Sequence, residues 1–513
     1  MKRIVVWIAL LIGVLTACGG GADTPQTDPN ANPNTSQILV WTGQGPTPED
    51  KTANTPGQLA YLNPTDGALT RLLEVPANAV GVMPCGPLSP DRQKFTFMVN
   101  TPVGSKDGGT LYQIVGNGTP STVGEIHAAT CLGSGTFQYT PDSQRFALID
   151  YTDQISSSEY GVGTLRLYDS QTLQILTQFE DVSSFDLTLD GLSFVRFFAN
   201  ENGLINELAL FHWTTGEQAT ELGTLFADEG CRFTSSDLLT IGDQYALMLG
   251  HRCAGSGTTW RFYTLNRTGG EPTLAMSGEQ VGAYFPYTRT NHLISSGDSQ
   301  QLFFLTADGF AANTVRVHVT PITAFTADSI VIEGGAQMPR YTTRAFTQPA
   351  NAFPVISPDG RWWALTVATG RSEPILSVID LTDPNAFPVE IGIESREQVI
   401  SSLIFTPDSG VIYYVAGSQR EVGNSLFRLT LASQENTRVV RGTFGPGIIA
   451  PDGSQLAFMI WNRGTDRRQT PYTDFALVNP ADGTVTRTLS TGITYAEDGS
   501  VQSTQFVYPL WWR

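Results

Sequence analysis

The sequence predicts an all-β protein: a single β-propeller of about eight four-stranded blades, with roughly seven to nine as the range, closed by a C-terminal strand that completes the first blade. Three observations predict it. A phrase made of an apolar strand, a Ser/Thr-Pro-Asp turn and a second apolar strand recurs with its aspartates 44 to 61 residues apart. Asp-Gly turns join further apolar runs, and Gly accepts the positive φ that a tight hairpin requires. No stretch carries sustained helical periodicity with caps at both ends. A repeat of this length with four strands per unit has the period of a propeller blade.

Taken from the N-terminus, Met1-Lys2-Arg3 is a cationic head and Ile4 to Leu15 is an apolar run of 12 residues. A helix needs about 20 residues to span a bilayer, so the run fits a signal sequence better than a membrane span. It ends in Leu15-Thr16-Ala17-Cys18, which resembles the lipobox of bacterial lipoproteins. That resemblance implies a diacylglyceryl group on the Cys18 sulfur, cleavage before Cys18 and an acylated new amine. Two or three acyl chains would hold the protein on a bilayer, where one chain binds only marginally. Residues 1–17 are thus read as the leader and 18–36 as the lipidated cysteine with a Gly/Pro/Asn/Thr-rich tether. Residues 37–513 are read as the propeller. Gly19, not aspartate, follows Cys18. In lipoprotein families this implies the outer membrane if the host has one.

The first unit begins with Ile38-Leu39-Val40-Trp41, then Leu59-Ala60-Tyr61-Leu62, which turns at Asn63-Pro64-Thr65-Asp66-Gly67. The recurring turn stands at Ser89-Pro90-Asp91, Thr140-Pro141-Asp142, Ser357-Pro358-Asp359, Thr406-Pro407-Asp408 and Ala450-Pro451-Asp452. Degenerate copies are read at Thr188-Leu189-Asp190-Gly191, Ser235-Ser236-Asp237 and Ser296-Gly297-Asp298. The strands after these turns, such as Lys94 to Met98 and Arg145 to Leu148, alternate as half-buried strands do. The last unit turns at Asn479-Pro480-Ala481-Asp482-Gly483, and an extra strand, Gln505 to Trp512, follows as the expected partner of the first blade. Closure would remove an open sheet edge.

Ser-Pro-Asp-Gly followed by an apolar strand resembles the TolB-like propeller repeat, also found in the propellers of prolyl oligopeptidases. The resemblance covers residues 81 to about 490. It implies a propeller and, through TolB, a partner in an envelope complex, although the α/β domain that TolB carries has no counterpart in this sequence. The repeated aspartates invite a calcium reading, but Asp-x-Asp-x-Asp-Gly spacing is absent. A carboxylate that accepts an N–H two residues on explains one aspartate per turn without any ligand.

Apart from Cys18 there are four cysteines, an even number suited to an oxidising compartment. Cys85 and Cys131 are placed just before the inner strands of successive blades, and Cys231 and Cys253 flank one strand pair. The expected bonds are Cys85–Cys131 and Cys231–Cys253, the alternative being four buried thiols. No Cys-x-x-Cys or neighbouring histidine points to zinc, and no metal or cofactor is expected. The five histidines are scattered, and neither a nucleophile elbow nor a phosphate loop occurs. The segment Trp461 to Tyr472 is the densest cationic stretch, and Arg463, Arg467, Arg468 and Tyr472 are its candidate contacts for an anionic partner. With a net charge of −18 and only four lysines, the chain is not built for nucleic acid. The expected function is a membrane-anchored, extracytoplasmic module that binds or scaffolds an envelope protein or extracellular ligand. The alternative is a propeller hydrolase acting on a glycan or lactone at the channel mouth.

Overall fold

The computed structural model describes residues 36–44, 57–79, 81–101, 108–127, 131, 136–151, 162–254, 258–280, 293–295, 301–308, 314–321, 355–368, 374–382, 389–392, 398–418, 425–441, 444–462, 472–489, 494–495, 501–503 and 505–513. Every strand pairing among them is antiparallel, and strands pair with their chain neighbours in a succession of meanders. Six of the sheets among the described residues are four-stranded, the strand number of a propeller blade. No helix among the described residues is long and apolar enough to cross a membrane.

Among the described residues, the pairing between strands that are not chain neighbours is in the first sheet. Its order is Leu69–Glu74, Gln58–Leu62, Ile38–Gln44, then Gln505–Trp512. Ile38 faces Trp512 and Trp41 faces Tyr508, with a register shift beside Val40. The shift falls where Val40 faces Pro509. Proline has no N–H to give a ladder, so an edge strand at a bulge is where it is tolerated. The pairing runs on past the strand: the Gln37 and Arg513 amides each donate to the other's carbonyl, at 3.2 and 3.0 Å.

The sheets pack face to face. Leu39, Trp41, Leu59 and Trp511 of the first sheet share a core with Phe95, Phe97 and Val99 of the second. On the other face, Ile38, Val40, Val507 and Trp512 pack with Ala457, Phe475 and Leu477 of the last four-stranded sheet. Stacking on both faces changes one expectation. The alternation of Lys94 to Met98 predicts a half-buried strand, yet the whole observed strand, Lys94–Asn100, is buried. Lys94 and Thr96 are satisfied instead of solvated: Thr96 Oγ1 lies 2.7 Å from the Tyr139 hydroxyl, and Lys94 Nζ donates to the Ser143 carbonyl at 2.7 Å.

Two adjoining units share a strand. Ile175–Leu187 pairs through its first half with Gly163–Asp169 and through its second half with Leu192–Ala199. At the changeover Asp181 has φ 59° and the register shifts beyond Val182. Burial switches there as well, from largely exposed to fully buried, as an outer strand becomes an inner one. The next unit corrects the repeat reading. Ser235-Ser236-Asp237 is not a turn; it lies inside the strand Cys231–Ile241. The turn comes at Gly242-Asp243, where Gly242 has φ 54° and Ile241 faces Gln244. A two-residue hairpin needs positive φ, so the glycine, not the Ser-Ser-Asp phrase, decides the position. Ser296-Gly297-Asp298 lies outside the described residues.

Candidate functional site

The five clear turns share one geometry. The first residue's carbonyl accepts the N–H of the fourth, as in Ser143 to Thr140 at 2.8 Å and Gly453 to Ala450 at 2.9 Å. That fourth residue is left-handed in every copy: Arg92, Ser143, Gly360, Ser409 and Gly453. Each aspartate accepts the amide two residues on, at 2.9 to 3.1 Å for Asp91, Asp142, Asp359, Asp408 and Asp452. The Thr140, Thr406 and Ser454 hydroxyls, helped by those amides, hold Asp142, Asp408 and Asp452 below the usual carboxylate range. The carboxylates are thus engaged by their own turns. Two turns also reach the next unit, where the Asp91 amide donates to Ser143 Oγ at 3.0 Å and the Asp359 amide to Ser409 Oγ at 3.1 Å.

The four body cysteines form two disulfides, Cys85–Cys131 and Cys231–Cys253. Cys85 directly follows the edge strand Gly81–Pro84 rather than preceding it, and its amide continues that ladder by donating to the Thr96 carbonyl at 2.9 Å. This disulfide is buried among Met98, Leu111, Phe137 and Phe146, in the core shared by two successive sheets.

The second disulfide is the centre of the candidate site. Cys231 opens one strand of a hairpin and Cys253 ends the other, Gln244–Cys253, directly opposite. Side chains two apart on a strand share a face, so His251 lies on the same side as Cys253. His251 Nδ1 sits 3.7 Å from Cys253 Sγ, and one ligand atom from each of Cys231, His251 and Cys253 lies within 4.8 Å of the others. The His251 ring is packed at a tilt against Phe233, its cross-strand neighbour. Arg261 on the third strand pairs with Asp228 just before Cys231. Burial, reinforced by the Arg261 charge and opposed by Asp228, holds His251 below the usual histidine value. The imidazole is therefore neutral near pH 7. This histidine answers the sequence expectation that no neighbouring His could join the cysteines. His251-Arg252-Cys253 carries the signal, legible only once the segment is known to be extended.

The other candidates fare differently. Cys18, Arg463, Arg467 and Arg468 lie outside the described residues. Tyr472 begins the strand Tyr472–Val478 and faces Asn462, so the cationic segment connects two paired strands. His127 Nδ1 lies 2.9 Å from Asp150, which also accepts from Arg166 at 3.0 Å. His212 Nδ1 lies 3.0 Å from Ser193 Oγ. Each joins adjacent strands or sheets.

No protein-family profile matches the chain, and no curated protein matches it. Among solved structures, a eukaryotic initiation factor is similar at 11% identity and a TM-score of 0.48, over 92% of this chain and 98% of the other. A prolyl endopeptidase is similar at 12% identity and a TM-score of 0.41, over 78% of this chain and 54% of the other. The β-propeller domain of the trilobed protease from Pyrococcus furiosus is similar at 12% identity and a TM-score of 0.36, over 70% of this chain and 96% of the other.

Proposed function

We propose that this protein is an extracytoplasmic β-propeller lipoprotein, held on a bacterial membrane through acylated Cys18, that binds or scaffolds an envelope protein or an extracellular ligand and performs no catalysis. The observation that carries the reading is the pair of disulfides in the body of the fold, since such bonds persist where the surroundings are oxidising. The engagement of the repeated aspartates within their turns supports binding over carboxylate catalysis. We further infer a TolB-like ring. The described residues hold eight sheets of three or more strands, and the seven-stranded one counts as two units that share Ile175–Leu187. The resulting nine units are the upper end of the range expected from the sequence. Packing of the first sheet against both the second and the last supports closure. Rims of such rings gather loops from many blades, which suits recognition of a partner.

The test is the Cys18→Ala variant expressed in a bacterium and fractionated beside the parent. The parent should sediment with membranes and carry the added mass of the acyl groups. The variant should be released or remain unprocessed. A variant that is processed and membrane-bound like the parent overturns the anchor.

A further inference from the structure

We propose that Cys231, Cys253 and His251 form a zinc site that opens when the Cys231–Cys253 disulfide is reduced. The proposal goes beyond the anchoring reading and does not depend on Cys18.

The ligand chemistry is in place. Two thiolates and a neutral imidazole are ordinary zinc donors, and three protein ligands leave a fourth position for water. A tetrahedral zinc with Zn–S near 2.3 Å and Zn–N near 2.0 Å sets two sulfurs about 3.8 Å apart and sulfur and nitrogen about 3.5 Å apart. His251 Nδ1 and Cys253 Sγ already stand at 3.7 Å, so that edge of the tetrahedron needs little adjustment. Reduction frees the remaining edge, between the two sulfurs. Cys231 can supply the movement because it is the first residue of its strand and follows Gly230, whose φ is 74°. Among the described residues, this is the group in which three such ligand atoms converge.

Access separates this disulfide from the other. Cys85 and Cys131 are 0% and 5% exposed, whereas Cys231 and Cys253 are both half-buried at the end of a hairpin. Exchange proceeds by thiolate attack on a reachable sulfur, so the hairpin bond is the one a reductant meets. The balance closes with a protein dithiol as that reductant. The dithiol gives two electrons and two protons and becomes a disulfide, and the Sγ–Sγ bond breaks to leave two thiols. Zinc then displaces the two thiol protons to solvent, and His251 contributes a lone pair without losing a proton.

The experiment uses the full chain, a phosphine reductant that does not itself bind zinc as a thiol would, and zinc as the probe. Zinc retained through gel filtration is measured in the oxidised and the partly reduced protein, with near-ultraviolet circular dichroism recording the fold. Alkylation followed by peptide mapping then reads which cysteines zinc protects. The expected result is about one zinc per reduced chain, none on the oxidised chain, and protection of Cys231 and Cys253. His251→Gln should form the same disulfide but weaken zinc binding in the reduced state by at least the roughly 10–100-fold lost with an outer-shell partner. A folded, reduced chain that retains no zinc overturns the proposal. So does zinc that protects Cys18, Cys85 or Cys131 instead, zinc binding unchanged in His251→Gln, or a hairpin that unfolds on reduction.

Discussion

Cys85–Cys131 joins residues 46 apart across the seam between two successive sheets, whereas Cys231–Cys253 joins residues 22 apart at the open end of a single hairpin. The first is surrounded by aromatic and aliphatic side chains; the second has a histidine beside it and an Arg–Asp pair nearby. Both arose in the same fold, yet their surroundings differ in what each bond can do. A bond across a seam restrains two units that no strand ladder joins. A bond between strands already zipped by a ladder adds less restraint, and its position near solvent leaves its sulfur chemistry reachable.

The comparison can be broken first by removing the bonds. On loop-closure entropy alone, the longer loop is worth about 4 kcal/mol and the shorter about 3.5 kcal/mol. The Cys85→Ser, Cys131→Ser pair should destabilise by more than that difference suggests, because two hydroxyls then lie in an apolar core. Chemical denaturation followed by near-ultraviolet circular dichroism reads it, and a loss no greater than that of the hairpin pair would erase the distinction between seam and hairpin. The Cys231→Ser, Cys253→Ser pair comes next in size, with the new hydroxyls half-solvated. Graded reduction sharpens the contrast further: timed alkylation should find Cys231 and Cys253 modified well before Cys85 and Cys131, and the opposite order would contradict the burial argument. The smallest effect belongs to the recurring aspartate turns, a kind that the Cys231–Cys253 hairpin lacks. Asp142, Asp408 and Asp452 have folded values below the unfolded value of about 3.9. Their stabilisation is therefore present above that pH and is lost as pH falls through the folded values. An acid titration of stability should show a shallow decline beginning near pH 4, and Asp142→Asn should flatten part of it.

Much of this was legible in the sequence where local chemistry decides the outcome. Ser/Thr-Pro-Asp and Asn-Pro-x-Asp-Gly fix their turns through proline's φ, the aspartate's reach and a left-handed residue, all within five positions. Cysteine order and parity indicated the two bonds, and Gln505 to Trp512 stood out as a strand without a neighbour. The misreadings arose where the outcome depends on packing between distant segments. Ser235-Ser236-Asp237 looks like a degenerate turn, but Ser236 Oγ lies 2.6 Å from both Ser183 and Ser184 Oγ on the neighbouring inner strand, so those polar residues are satisfied within a strand. Lys94 to Met98 reads as half-buried because its polar residues alternate, and only the sheets stacked on both sides reveal the buried partners of Lys94 and Thr96. His251 is two residues from Cys253 but twenty from Cys231, and only the hairpin register brings all three together.

The first sheet also sets how the molecule responds to being pulled. Ile38–Gln44 lies between Gln58–Leu62 on one side and Gln505–Trp512 on the other, so a force applied at Ser36 acts along a strand held by two ladders at once. Such a force shears both ladders together instead of opening one rung at a time. The aromatic residues Trp41, Tyr508 and Trp511 would have to slide past their neighbours in the same event. Tension on the segment that precedes this strand is thus met by both ladders of the first sheet at once, before it reaches the sheets that follow.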